Sequence, residues 1–249
     1  MKTLTCRNRQ YGLTLIEIMV ALVISMFLLA GLLQLFIITR QSARVQENLS
    51  RVQENGRYAI DYLSRFIRLA GYRSNETIRL AEEFENKFNV FPIEAKTSNG
   101  EILTVIFEGE NTGQGEVRDC LNALVVSSPG APVTSSNTLK ISNNMLQCQT
   151  ANATQTIVED VESVQVLYGE NTDSDLMGVA DRYVSGATIA SSGDWNRVVS
   201  VRITLLLRTS DNNLVESAQP YTFNGASTTP TDRRLRRVFT TTIALRNRV

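Results

Sequence analysis

The chain has 249 residues, with 25 Lys and Arg against 25 Asp and Glu, three cysteines and no histidine. That length allows a substantial core, and the charge balance gives no sign of a nucleic-acid-binding protein as a whole. The lack of histidine excludes Ser-His-Asp triads and Cys-His dyads and removes the commonest zinc ligand; no other nucleophile–base pair is visible, so the chain reads as non-catalytic.

Residues 1–12 are short and polar, carrying Lys2, Arg7 and Arg9 with no acid. Residues 13–39 follow with a single charge, Glu17. A helix over that span is about 40 Å long at ~1.5 Å per residue. This exceeds the roughly 30 Å of a bilayer hydrocarbon core, so the segment is expected to cross a membrane with some tilt. A secretory signal peptide has its small-residue cleavage site after the apolar stretch. Here a glycine, Gly12, stands before it, and cutting there would leave the helix in the mature protein.

The order of basic leader, Gly12, then LTLIE and an apolar stretch resembles the prepilin-type signal of type IV pilins and pseudopilins. The resemblance implies that a prepilin peptidase cuts between Gly12 and Leu13 and methylates the new amino terminus of Leu13. It also implies that Glu17, fifth in the mature chain, docks the subunit. A lone carboxylate in a membrane segment is costly and calls for a function. The cationic amine of an incoming Leu13 would attract a buried Glu17 strongly in low dielectric. The alternative is that Glu17 lies at the interface and stays wet.

Beyond the membrane segment the pattern turns amphipathic over 40–71. Val45, Leu49, Val52, Gly56, Ala59, Leu63, Phe66 and Ala70 recur at steps of four and three, one face of a helix, and Gly71 is placed to end it. Gly56 costs about 1 kcal/mol relative to Ala in a helix, which makes a bend plausible there. The half before Gly56 is expected to face neighbouring subunits, the half after it a sheet.

Residues 72–249 read as a β-rich domain. Pro92 argues against a regular element within 79–99. Strands are expected at 102–107, 124–127, 139–142, 145–149, 158–168, 198–207 and 238–245, with Asn143 and Asn144 as a turn. Residues 112–116, 128–137 and 169–196 read as loops. Asp173, Asp175 and Asp181 in the last of these invite a calcium site, but the spacing fails the EF-hand pattern, so a solvated loop and no cofactor is the preferred reading. Cys6 falls in the leader; Cys120 and Cys148 remain, and an oxidising compartment would pair them. Arg233, Arg234, Arg236 and Arg237 form a basic cluster. With no aromatic platform beside it, a solvated strand entrance or a pilin contact is preferred over nucleic acid.

The blocks RVQENGRYAIDYLSRFIRLAGY, VEDVESVQVLYGENTDSD and RRVFTTTIALRNR resemble the PilW family of type IV pilus minor pilins. The resemblance implies an α+β, pilin-like fold: a long N-terminal helix packed on an antiparallel β-sheet domain. It implies an inner-membrane, single-pass subunit with its C-terminal domain in the periplasm, later incorporated in a surface pilus. The implied partners are other minor pilins, the major pilin, the prepilin peptidase, the inner-membrane assembly platform and membrane lipid. The alternative is a J-type pseudopilin of a type II secretion system.

Overall fold

A computed structural model of the chain describes residues 12, 14–73, 93–95, 101–111, 116–127, 133–173, 178–192 and 195–248. The chain divides into two compact units, Met1–Glu47 and Asn48–Val249.

The first unit is built on one helix. Helix α1, Leu15–Ile67, starts here and continues into the second unit. Every described residue up to Arg44 is exposed, large apolar side chains included. Such a surface has no stable place in water and suits lipid or other apolar helices. Two hydroxyls are satisfied within the helix: Ser25 Oγ donates to the Ala21 carbonyl at 2.7 Å and Thr39 Oγ1 to that of Leu35 at 2.8 Å. This is what a hydrocarbon environment requires of a backbone and its hydroxyls. The first cation after the apolar stretch, Arg40, sits over the Phe36 ring at 4.6 Å. Glu17 and Arg40 lie about 34 Å apart along a helix, so the two charges bracket one hydrocarbon thickness.

In the second unit α1 buries Asn48, Val52, Gly56, Ala59, Leu63, Phe66 and Ile67, close to the stripe expected from the sequence. Burying a side chain such as Leu63 fully is worth roughly 1.5–3 kcal/mol. The helix stops where Gly71 takes a left-handed φ of 74°. There the Gly71 N–H donates to the Ile106 carbonyl at 3.0 Å, tying the helix end to β2, Glu101–Glu108. No break occurs at Gly56. The glycine admits the ring of Phe239, which an added Cβ would overlap, so close packing is a local reason for it.

Two antiparallel sheets complete the unit. The first, in order β1-β2-β5-β6-β7, contains β1 (Ile93–Ala95), β2, β5 (Thr134–Ser142), β6 (Met145–Gln149) and β7 (Thr154–Glu159). The second, in order β13-β10-β8-β9, contains β8 (Val161–Glu170), β9 (Arg182–Ser185), β10 (Val198–Arg208) and β13 (Arg236–Ala244). Short β3 (Glu110–Asn111) pairs in parallel with β4 (Val126–Ser127), and β11 (Tyr221–Phe223) with β12 (Ala226–Thr228). The core joins α1 to both sheets through residues such as Phe66, Phe107, Leu139, Tyr168, Leu205 and Ile243. The architecture is α+β, a long N-terminal helix with antiparallel sheets.

Four local expectations are corrected. Residues 134–137 are strand and not loop, because their backbone pairs with β2, Ser135 opposite Phe107 and Asn137 opposite Val105, while the buried Asn137 side chain is met within the strand, its Nδ2 donating to Ser135 Oγ at 2.9 Å. Residues 158–168 form parts of two strands, since Asp160 adopts φ 61° between β7 and β8. The stretch 169–196 contains β9, which pairs with β8, and helix α2, Gly186–Ser192, anchored by buried Ile189. Finally, β1, Ile93–Ala95, is a regular element within 79–99, where none was expected. The 79–92 and 96–99 parts of that stretch, and 112–115, 128–132, 174–177 and 193–194 of the expected loops, lie outside the described residues.

Candidate functional site: the N-terminal segment and its supports

Gly12 is exposed, and a Cβ built there would meet nothing within 4 Å. Its φ is not in the left-handed region. Neither space among the described residues nor backbone conformation therefore demands glycine at this position. Leu13, the expected methylated residue, and Cys6 lie outside the described residues.

Two residues on, Thr14 and Glu17 close the start of α1. The Thr14 N–H and Oγ1 both donate to Glu17 Oε2, at 2.9 and 3.0 Å, and the Glu17 N–H donates to Thr14 Oγ1 at 3.4 Å. This is a capping box, in which each side chain satisfies the other's free backbone N–H. Sequence reasoning treated Glu17 only as a charge and missed Thr14, although the T-x-x-E spacing was the available signal. Glu17 thus has a local role, fixing the helix start, beside any role between subunits. Its carboxylate also stands one residue from where a new amino terminus on Leu13 would begin.

Cys120 and Cys148 are joined in a disulfide, Cα–Cα 6.2 Å, across 28 residues. Cys148 lies on β6 and is fully buried; Cys120 sits in a turn shaped by Asp119, whose Oδ1 accepts from the Leu121 and Ala123 N–H groups at 2.8 Å. Tyr62 on α1 donates its hydroxyl to the Cys120 carbonyl at 2.7 Å. Burial pushes the Tyr62 phenol well above its ordinary value, so it remains a donor. The disulfide turn is thereby pinned to the helix. A second pin is buried Asn48, whose side chain accepts from the Asp211 N–H and donates to its carboxylate, each at 3.2 Å.

Asp181 Oδ2 accepts from the Thr172 N–H at 2.6 Å, Thr172 Oγ1 at 2.9 Å and the Asp173 N–H at 3.3 Å. These bonds hold its carboxyl below the usual range. Asp181 Oδ2 is therefore closing its own loop. Asp175 lies outside the described residues, and among those described no three His, Cys, Asp or Glu side chains converge.

The arginine cluster is not a solvated strand entrance. Arg236, its side chain 4% exposed, pairs with Glu162 at 2.7 Å and Asp232 at 2.8 Å, and the Tyr221 ring lies 5.1 Å from its guanidinium. Arg234 donates to the Thr209 carbonyl at 2.6 Å and to that of Ser210; Arg233 donates to Asn213 Oδ1 at 2.6 Å. Two of the four guanidiniums thus bind the chain's own turn at 209–213 and a third binds Glu162 and Asp232, and the aromatic neighbour that sequence reasoning did not find is Tyr221. Arg237 is exposed.

Residues 125–247 match the family model described as type IV pilus-assembly protein W, and residues 7–33 match the prokaryotic N-terminal methylation motif. No curated protein matches the chain. Among solved structures the chain is similar to a type IV-like pilin from Thermus thermophilus, with TM-score 0.44 and 13% identity over 83% of this chain and 99% of that one.

Proposed function

From the premise that this chain belongs to the PilW family of type IV pilus assembly proteins, we propose that it is a minor pilin. In this reading it is cut after Gly12, methylated on Leu13, and held in the inner membrane by residues 13–39 with its β domain in the periplasm. It then joins other minor pilins to initiate pilus assembly near the tip. It acts as a structural subunit, with no reaction of its own. The observation that carries the reading is a methylation motif over residues 7–33 that runs into a helix exposed at every residue from Leu15 to Arg44. The match of residues 125–247 to the PilW model supports a pilus over a secretion pseudopilin.

Docking rests on Glu17 paired with the terminal amine of a neighbouring subunit. Removing one member of a buried charge pair costs about 3–5 kcal/mol, because the other stays buried alone. The capping box complicates the obvious variant, since Glu17→Ala loses the cap as well as the charge. Glu17→Gln separates them: glutamine serves the same position of a capping box but is neutral. Both variants are expected to insert and to be cleaved. If the charge docks the subunit, Glu17→Gln lowers co-purification with the other minor pilins and the number of surface pili as far as Glu17→Ala does. Wild-type association and piliation with Glu17→Gln would leave the carboxylate a cap only and end the docking reading.

A further inference from the structure

The two larger sheets end in four outer strands, β1, β7, β9 and β13. Three are short, at 3, 6 and 4 residues. The fourth, β13, runs for nine residues and pairs with β10 in a register without a shift. It contains no proline and no bulge, two of the means by which a sheet edge is blunted, and its charged residues, Arg236 and Arg237, are confined to its first two positions. Its outer side therefore presents a long, regular row of backbone groups with no strand beside it among the described residues.

Between β13 and α1 lies a groove of about 480 Å³. Ile60 and Phe239, both half-buried, give it an apolar floor, and Thr240 marks its β13 side; no residue of β10 lines it. Arg57 and Arg68 stand exposed at its rim, three helical turns apart on one face, and no described side chain pairs with either guanidinium. The one carboxylate in the lining, Asp61, is already met by Arg65 at 2.5 Å. The groove thus combines an open strand edge, an apolar floor and two uncommitted cations.

We propose that this groove takes up an extended, acidic polypeptide strand from a partner protein, which adds to β13 as a fifth strand of its sheet. Strand addition draws affinity from main-chain hydrogen bonds and specificity from alternate side chains. Two acidic side chains four residues apart on one face of a strand are about 13 Å apart. Arg57 and Arg68 are about 16 Å apart along their helix, and long side chains close the difference. Nothing in this site depends on whether the chain enters a fibre.

The probe is a nine-residue peptide alternating threonine, glutamate and valine, with glutamates at its third and seventh positions and valines on the other face. It is added to the full chain in detergent micelles and followed by fluorescence anisotropy and by hydrogen exchange of the β13 amides. The glutamate peptide is expected to bind and to protect β13. The same peptide with lysines, or with its amides methylated along one edge, is expected to bind at least about tenfold more weakly. Because Arg57 and Arg68 are exposed, the double variant Arg57→Glu, Arg68→Glu keeps the fold; it is expected to reject the glutamate peptide and accept the lysine peptide. No binding of the glutamate peptide at about 1 mM, equal binding of both peptides, binding without protection of β13, or displacement by an oligothymidine in preference to any peptide would each overturn the proposal.

Discussion

Substituting Gly56 by alanine tests how α1 is seated in the second unit. A Cβ there would overlap the far end of the Phe239 ring, with Cε1 at 2.5 Å. Either the half-buried ring or the helix must move, and overpacking of this kind costs about 1–3 kcal/mol. Against that, alanine in place of glycine in a helix interior contributes about 1 kcal/mol. The net expectation is a destabilisation of about 0–2 kcal/mol. For a unit of roughly 200 residues each kcal/mol moves Tm by about 2–4 °C. In a Phe239→Ala background the clash is gone and only the propensity gain remains, so Gly56→Ala should then raise Tm by about 2–4 °C. The coupling between the two positions should be about 1–3 kcal/mol. The single tryptophan, Trp195, is buried edge-on to Tyr168 at 5.2 Å and reports unfolding of this unit by its fluorescence. Thermal melts of the four variants complete the cycle. An equal loss from Gly56→Ala in both backgrounds would refute the seating of Phe239 on Gly56.

Two further outcomes are expected. Opening the Cys120–Cys148 bridge with Cys148→Ser should lower stability by about 3–4 kcal/mol for its loop length, read by Trp195 fluorescence in denaturant; an unchanged midpoint would mean that the bridge closes nothing the fold has not already closed. Asp232 is held at about 2 against an ordinary 3.8, chiefly by hydrogen bonds from Arg236. Its contribution is therefore present above the ordinary value and lost as pH falls toward the lowered one. The Tm gap between wild type and Asp232→Asn should accordingly narrow between about pH 5 and about pH 2, whereas a gap independent of pH would show that the ion pair carries no linkage.

Much of the helix was readable in advance because two strong periodicities meet in it. The apolar segment from residue 13 needs only length and a charge count, and the stripe from Val52 to Ala70 repeats at helical spacing. The Asn143-Asn144 turn was also legible, since both residues take left-handed φ angles of 52° and 58°, which asparagine tolerates. The failures share a cause. Residues 134–137 form a polar stretch of strand and residues 182–185 a strand of only four residues, both held by cross-strand pairing with too little alternation to read. Arg236 looked like a free surface cation because one of its partners, Glu162, is 74 residues upstream. Asn48 carries no sign of burial in the sequence, because Asp211, which meets it, is 163 residues away. At the N-terminal segment the local signal was present, but the charge of Glu17 drew attention from its spacing to Thr14.

The most direct test of the pilin reading is the intact mass and amino-terminal sequence of the protein recovered from membranes of cells with an active prepilin peptidase. The expected product begins at Leu13, carries one methyl group on its amine, and is replaced by the full-length chain when the peptidase is deleted or Gly12 is changed to valine. A chain that still begins at Met1 in peptidase-competent cells, or one cut after the apolar helix, would contradict the account.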